Sequence, residues 1–325
     1  MPILTTHNLS IGYRHGKDAT VVMRDVNVTL RRRRLTALLG SNGIGKSTLL
    51  RTISGAQPAL SGEVSIGGRR IDDIGRGEMS RLLSLVFTDR TMAGGLTVRE
   101  LVSLGRQPHT GFLGRLDAHD REVVANAVES VGVAHKIDSY VAELSDGERQ
   151  KVMIAKALAQ ETPLIVLDEP TAFLDVASRI DTLRLLSTLA RTADKAILLS
   201  THDVSQTLLL ADELWVVTAG REMLCGTTED VVLSGAMQSM FATERVRFSM
   251  LKGDYEVDVP ARCAVRLECA DAGLRYWIAN ALRRNAICVD AEADRVVAAT
   301  SAGDISVDGV VVGSVALMLE RILGQ

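Results

Sequence analysis

The chain has 325 residues, 46% of them hydrophobic and 24% charged, with a net charge of −3. That length and balance allow one large domain with a smaller companion, or two domains, around a sizeable apolar core. The mildly acidic charge argues against an electrostatic nucleic-acid binder, and no apolar run approaches the roughly 18–20 residues that span a bilayer. The segment Met1 to His7 has no charged stretch with an apolar core behind it. No signal peptide is expected, and the chain is predicted to be cytoplasmic, with any membrane role acting through a partner.

In chain order, Leu9-Ser10-Ile11-Gly12-Tyr13 and residues 21–30 read as strands, the second alternating through Val26, Val28 and Leu30. Arg31 to Arg34 read as a solvated basic turn. Leu35-Thr36-Ala37-Leu38-Leu39 is a short apolar run of the kind that makes a buried strand. It feeds Gly40-Ser41-Asn42-Gly43-Ile44-Gly45-Lys46-Ser47-Thr48, which fits Gly-x-x-x-x-Gly-Lys-Ser and opens into helical spacing from Thr48 to Ile53. Strand, glycine turn and helix start are the context in which such a loop holds phosphate. Backbone N–H groups face the anion, Lys46 reaches the β/γ-phosphates and Ser47 can ligate Mg2+.

Residues 61–68 resemble a strand and hairpin, and residues 82–87 another apolar strand. From about residue 89 to 160 the pattern turns helical, with a Thr97-x-x-Glu100 capping box and apolar repeats at Val123, Val124, Ala127, Val128 and Val131. Residues 164–167 and 196–199 are near-continuous apolar runs suited to a parallel sheet covered on both faces. Residues 176–190 read as the crossover helix between them. The organisation is an α/β core with a helical insert.

Leu164-Ile165-Val166-Leu167-Asp168-Glu169 ends an apolar strand in two carboxylates. The first suits Mg2+, and the second suits a water aimed at a γ-phosphate. Leu144-Ser145-Asp146-Gly147-Glu148 precedes an alanine- and lysine-rich helix that Ser145 caps and Gly147 leaves open to close approach.

With Gly40 to Thr48, Leu144 to Gln150, Leu164 to Thr171, Ala172-Phe173-Leu174-Asp175 and Thr201-His202-Asp203 in this order, the chain resembles the ATP-binding-cassette (ABC) ATPases. The five segments match that family's Walker A, signature, Walker B, D-loop and switch-histidine motifs. The resemblance covers roughly residues 1–245. It implies a P-loop NTPase core with a helical insert, taking ATP and Mg2+ as cofactors, in a cassette of residues 1–255 with the insert at about 89–160. It also implies that two copies face head to tail, each ATP lying between Gly40, Ser41, Asn42, Gly43, Gly45, Lys46, Ser47 and Thr48 of one copy and Ser145 and Gly147 of the other. Tyr13 sits where the family places an adenine-stacking aromatic. Ser47 and Asp168 would hold Mg2+, Glu169 would polarise the water, His202 would contact the γ-phosphate and Asp175 would link the two sites. Thr88 stands where the family usually has a glutamine and is the remaining candidate metal ligand; Ala172 stands where serine is common.

The stretch Leu104-Gly105-Arg106-Gln107-Pro108-His109-Thr110-Gly111-Phe112, with Asp117 and Asp120 soon after, looks like that of the iron–siderophore, haem and cobalamin importer ATPases. The resemblance implies two permease subunits, a substrate-binding protein and a peripheral place on the inner face of the cell membrane. An exporter or soluble assembly ATPase, or a weakly hydrolysing scaffold or sensor, is the alternative. Beyond about residue 260 the chain reads as a small α+β domain, residues 260–325, with a strand at Arg262 to Cys269 and a helix from Leu274 to Arg284. That helix is expected to carry Trp277, Ile278, Ala281 and Leu282 on one face, with a further helix at residues 312–323. Dimer reinforcement is its expected role ahead of ligand sensing. Cys225, Cys263, Cys269 and Cys288 have no metal-ligand spacing and are expected to be free thiols.

Overall fold

The computed structural model describes residues 2–16, 18–87, 95–111, 114–241, 243 and 245–324. Its contacts divide the chain into two compact units. The larger comprises Met1–Ala242 and Phe248–Asp254, and the smaller Thr243–Arg247 and Tyr255–Gln325. The boundary passes through a hairpin formed by Val246–Ser249 and Asp254–Val257, strands that the hydrophobic pattern does not announce.

The larger unit is built on a six-stranded sheet. Its strands run in the order Met223–Thr227, Glu213–Val217, Leu35–Leu39, Ala196–Thr201, Leu164–Leu167, Leu83–Val86, all parallel except the first. Every residue of the Leu35–Leu39, Leu164–Leu167 and Ala196–Thr201 strands is buried, as continuous apolar runs in a covered parallel sheet require. A second, antiparallel sheet contains Pro2–His15, Asp18–Val26, Thr29–Arg31, Ser61–Ile66 and Arg69–Arg70. The run expected as one strand at residues 21–30 is two, broken where Asn27 accepts from the backbone N–H of Asn8. The helix Lys46–Ile53 buries Leu49, Leu50 and Ile53 in one core with Leu9 and Ile11 of the antiparallel sheet and Leu38 and Leu198 of the parallel one.

The insert holds the helices Val98–Ser103, Ala118–Ser130 and Asp146–Ala159, each opened by a capping box, from Thr97 to Glu100, Asp117 to Asp120 and Ser145 to Glu148. Gly105 packs so tightly that a β-carbon there would lie 2.3 Å from the Lys156 carbonyl oxygen. Arg106, only 2% exposed, donates to Asp120 at 2.8 Å, to the Ala159 carbonyl at 2.8 Å and to Glu161 at 2.6 Å. The Gly105–Arg106 step therefore works as an internal clamp between two helices of the insert.

The smaller unit has its own sheet, in the order Ile287–Val289, Cys263–Glu268, Val296–Ser301, Asp304–Val307, Val310–Val311. The helices Ala272–Arg284 and Val315–Leu323 contribute Ile278, Leu282, Met318 and Ile322 to a separate apolar core with Val265 and Val297. Trp277 is not on the core face: it is 65% exposed and meets Tyr276 edge-on at 5.3 Å. It precedes Ile278, so its direction lies about 100° away around the helix, towards solvent. The last helix starts three residues later than expected, because the short Val310–Val311 strand takes the preceding turn. The four cysteines are unpaired, and no group of metal-ligand residues forms among the described residues.

Candidate nucleotide site

The site collects at the C-terminal ends of the central parallel strands, where open α/β sheets place their ligands. The Leu35–Leu39 strand delivers the glycine loop, and the neighbouring strand, in register Leu39↔Thr201, delivers His202. Gly43 and Gly45 adopt φ of 75° and 121°, backbone shapes that a side chain resists. At Gly45 an added β-carbon would also fall 2.4 Å from Val22. Asn42, Gly43 and Ser47 face solvent, while Lys46 is only 6% exposed. Its amine donates to the Gly40 and Ser41 carbonyls at 2.8 and 3.3 Å and lies 4.0 Å from Glu169 Oε1. Burial pulls its pKa below the usual lysine value, opposed by the charges of Glu169 and Asp168.

Asp168 and Glu169 leave the Leu164–Leu167 strand together. Glu169 takes a left-handed φ of 46°, held by a bond from its N–H to Ser200 Oγ at 2.9 Å. The Ser200 hydroxyl in turn donates a hydrogen bond to Asp168 Oδ1 at 2.6 Å. Glu169 Oε2 then stands 3.6 Å from His202 Nδ1, so one carboxylate lies between the loop lysine and the strand-end histidine. Tyr13, 44% exposed, shares a 2.8 Å hydroxyl hydrogen bond with Thr48 at the start of the loop helix.

Gly147 and Asp175 meet at Ser178, away from the loop, with Ser145 two residues before Gly147. Asp175 caps the helix Val176–Thr192 by accepting from the Ser178 N–H at 2.8 Å and its hydroxyl at 3.1 Å. A β-carbon on Gly147 would meet Ser178 Oγ at 3.2 Å. The exposed Ser145 exchanges bonds with Glu148, whose pKa is held low chiefly by the Ser145 N–H. Arg179 joins the clusters by donating to the Leu174 carbonyl at 2.9 Å and to Asp203 at 3.2 Å. Thr88 lies outside the described residues.

Ser200 and Arg179 are the residues that sequence reasoning missed. Ser200 meets Asp168 because Leu167 pairs with Leu199 across the sheet, a register the sequence does not state. No pattern in the sequence signals Arg179.

A glycine loop on a buried lysine, beside a strand-end carboxylate pair and a histidine, defines a P-loop nucleotide hydrolase. Comparison with known proteins narrows that class. Residues 23–172 match the ABC transporter family model. The chain is 34% identical over 241 residues to the iron(3+)-hydroxamate import ATP-binding protein FhuC of Bacillus subtilis, covering 74% of this chain and 88% of that one. It is 35% identical over 238 residues to the ferric enterobactin transport ATP-binding protein FepC of Escherichia coli, covering 73% and 86%. A solved inward-facing metal-chelate-type ABC transporter superposes with a TM-score of 0.65 at 25% identity, covering 79% of this chain and 96% of the other. This chain belongs to the ATP-binding subunits of ABC transporters and is an ATPase of that family. Among the described residues no helix is long and apolar enough to cross a membrane.

Proposed function

We propose that the chain hydrolyses ATP to drive uptake of an iron–siderophore or a related chelate through two separate permease subunits fed by a substrate-binding protein, from the inner face of the cell membrane. The observation that carries the hydrolytic part is Glu169, 4.0 Å from the Lys46 amine and 3.6 Å from the His202 ring. From there the carboxylate would polarise a water towards a phosphate held by the loop, and His202 would steady the same phosphate as charge moves to its oxygens. Tyr13 stacks the base. The exposed Ser145 and the half-buried Gly147 would complete the phosphate cage of a second copy, which would make the working unit a homodimer. Asp175 connects the two sites. The Ser47 hydroxyl and the Asp168 carboxylate are hard oxygen donors of the kind Mg2+ takes, and Ser200 fixes the carboxylate's orientation. Mg2+ bound there supplies charge neutralisation to the phosphates.

The substrate class is supported by the relatives, several of which are named for iron(3+)-hydroxamate import or for ferric enterobactin or siderophore transport. Affinity capture of the Glu169→Gln protein from detergent-solubilised native membranes, with and without ATP, tests both parts. Slowed turnover with ATP-dependent recovery of a multi-span permease near one-to-one is the expected result. Recovery of soluble partners alone would sink the importer reading, and full turnover by Glu169→Gln would sink the assignment of Glu169.

A further inference from the structure

The smaller unit contains a cavity of about 300 Å3 that the nucleotide site does not use. One wall is the helix Ala272–Arg284, which presents Ala279 and Arg283, four residues apart and so on one face. A second is the Ile287–Val289 strand at the edge of its sheet. Asp290 donates its N–H to the Val265 carbonyl, and Val265 pairs with Val289. In a parallel ladder of that register, Ile287 and Val289 direct their N–H and C=O groups away from the neighbouring strand. The segment carrying Glu256, Val257, Asp258 and Val259 closes the cavity, with Arg247 at its margin.

The charges lining this space balance. Arg247 and Arg283 stand against Glu256 and Asp258, and Arg283 Nη1 is already paired with Glu256 Oε2 at 3.1 Å. Everything else around them is apolar or small, apart from the Cys288 thiol. A ligand carrying one sign of charge would upset that balance. A bare carboxylate, for instance, competes with Glu256 for Arg283 and strips Glu256 of this partner, which is costly in a half-enclosed site. A ligand with both charges exchanges pair for pair and adds apolar contact. The volume is at the small end of ligand sites, which run from about 300 to 1,000 Å3.

We propose that this cavity binds a free α-amino acid with an aliphatic side chain. Its carboxylate is taken by Arg283 and Arg247, its ammonium by Glu256 and Asp258, and its side chain lies against Ala279 and Ile287. Arginine is suited to the first role because its fork can hold both carboxylate oxygens. The site is independent of the nucleotide reading given above.

Titration calorimetry on the full chain tests this with L-leucine and two analogues, 4-methylpentanoate without the ammonium and 3-methylbutylamine without the carboxylate. L-Leucine is expected to bind one-to-one, and each analogue about tenfold or more weakly, since one charge contact is lost. Arg283→Gln and Glu256→Gln should each weaken L-leucine to a similar degree. Ala279→Leu, which fills the space and changes no charge, should abolish binding. Retention of the lower-temperature transition in differential scanning calorimetry, which belongs to the smaller unit, reports whether each variant is folded there. No binding of L-leucine, L-valine or L-methionine at millimolar concentration would overturn the proposal. So would analogues that bind as tightly as L-leucine, or binding that survives Ala279→Leu in the folded protein.

Discussion

Lys46 and Ser200 show how single groups in the nucleotide site depend on their neighbours. With its pKa drawn below 10.5 by burial, Lys46 in the folded chain binds less proton than in the unfolded one between that lowered value and 10.5. Its contribution to stability therefore rises with pH across this window. A triphosphate placed beside the amine restores the preference for the charged form. Nucleotide affinity should then be flat at neutral pH and weaken as pH climbs from the lowered value towards 10.5. Calorimetric titrations with a non-hydrolysable analogue check this, and Lys46→Arg, which does not titrate, should remove the bend. Ser200 serves two neighbours at once, donating to Asp168 and accepting from the Glu169 N–H. The left-handed backbone at Glu169 costs about 1–3 kcal/mol and persists only because its surroundings hold it. Ser200→Ala leaves that N–H without its partner and frees the Asp168 carboxylate, a loss of about 1–3 kcal/mol. If it falls on the transition state, kcat drops about tenfold to a hundredfold with the KM for ATP nearly unchanged. Steady-state phosphate release measures both constants, and an unchanged kcat would remove Ser200 from the site.

At the scale of elements, what was legible in the sequence was local. The Thr97 and Ser145 caps are formed within four residues, so their letters foretell their bonds. The same holds for Leu35 to Ile53, where strand, glycine turn and helix follow one another without a break. Ser200 beside Asp168 depends instead on the pairing of strands about thirty residues apart, which no local pattern states. Arg106 was legible as part of an insert loop but not as a buried cation, because its three acceptors come from two other elements and the turn after them. Its energetics follow from its burial. Side-chain exposures of 2% for Arg106 and 8% for Asp120 leave little water to screen the pair. Arg106→Leu abandons the Asp120 carboxylate and the Ala159 carbonyl, and should destabilise the larger unit by about 3 kcal/mol or more. Arg106→Lys should recover only part of the loss, since an ammonium cannot reproduce the planar fork. Urea unfolding followed by far-UV circular dichroism gives both values, and a midpoint unmoved by Arg106→Leu would mean that the clamp is not structural.

For the whole molecule, the decisive fact is that the two units have separate apolar cores. Leu9, Leu38, Leu50 and Trp215 belong to one core, and Val265, Ile278, Val297 and Met318 to another. The three larger sheets each lie within one unit, and the division of the chain falls within the hairpin of Val246–Ser249 and Asp254–Val257. Hydrophobic stabilisation scales with the area each core removes from water, so the smaller unit has the smaller reserve. Unfolding should therefore depart from a single two-state transition, with the smaller unit melting first. A ligand that binds only the folded form of one unit raises that unit's stability alone, by about 2.7 kcal/mol at a hundred times its Kd. A non-hydrolysable ATP analogue should thus raise the upper transition in differential scanning calorimetry and leave the lower one in place. Lys46→Ala should cancel the shift without moving either transition in the absence of nucleotide by more than a small amount, because the amine is bonded mainly to its own loop. One transition that moves as a whole with nucleotide would show instead that the hairpin makes the two cores unfold as a single cooperative body, and that events at Lys46 are felt throughout the chain.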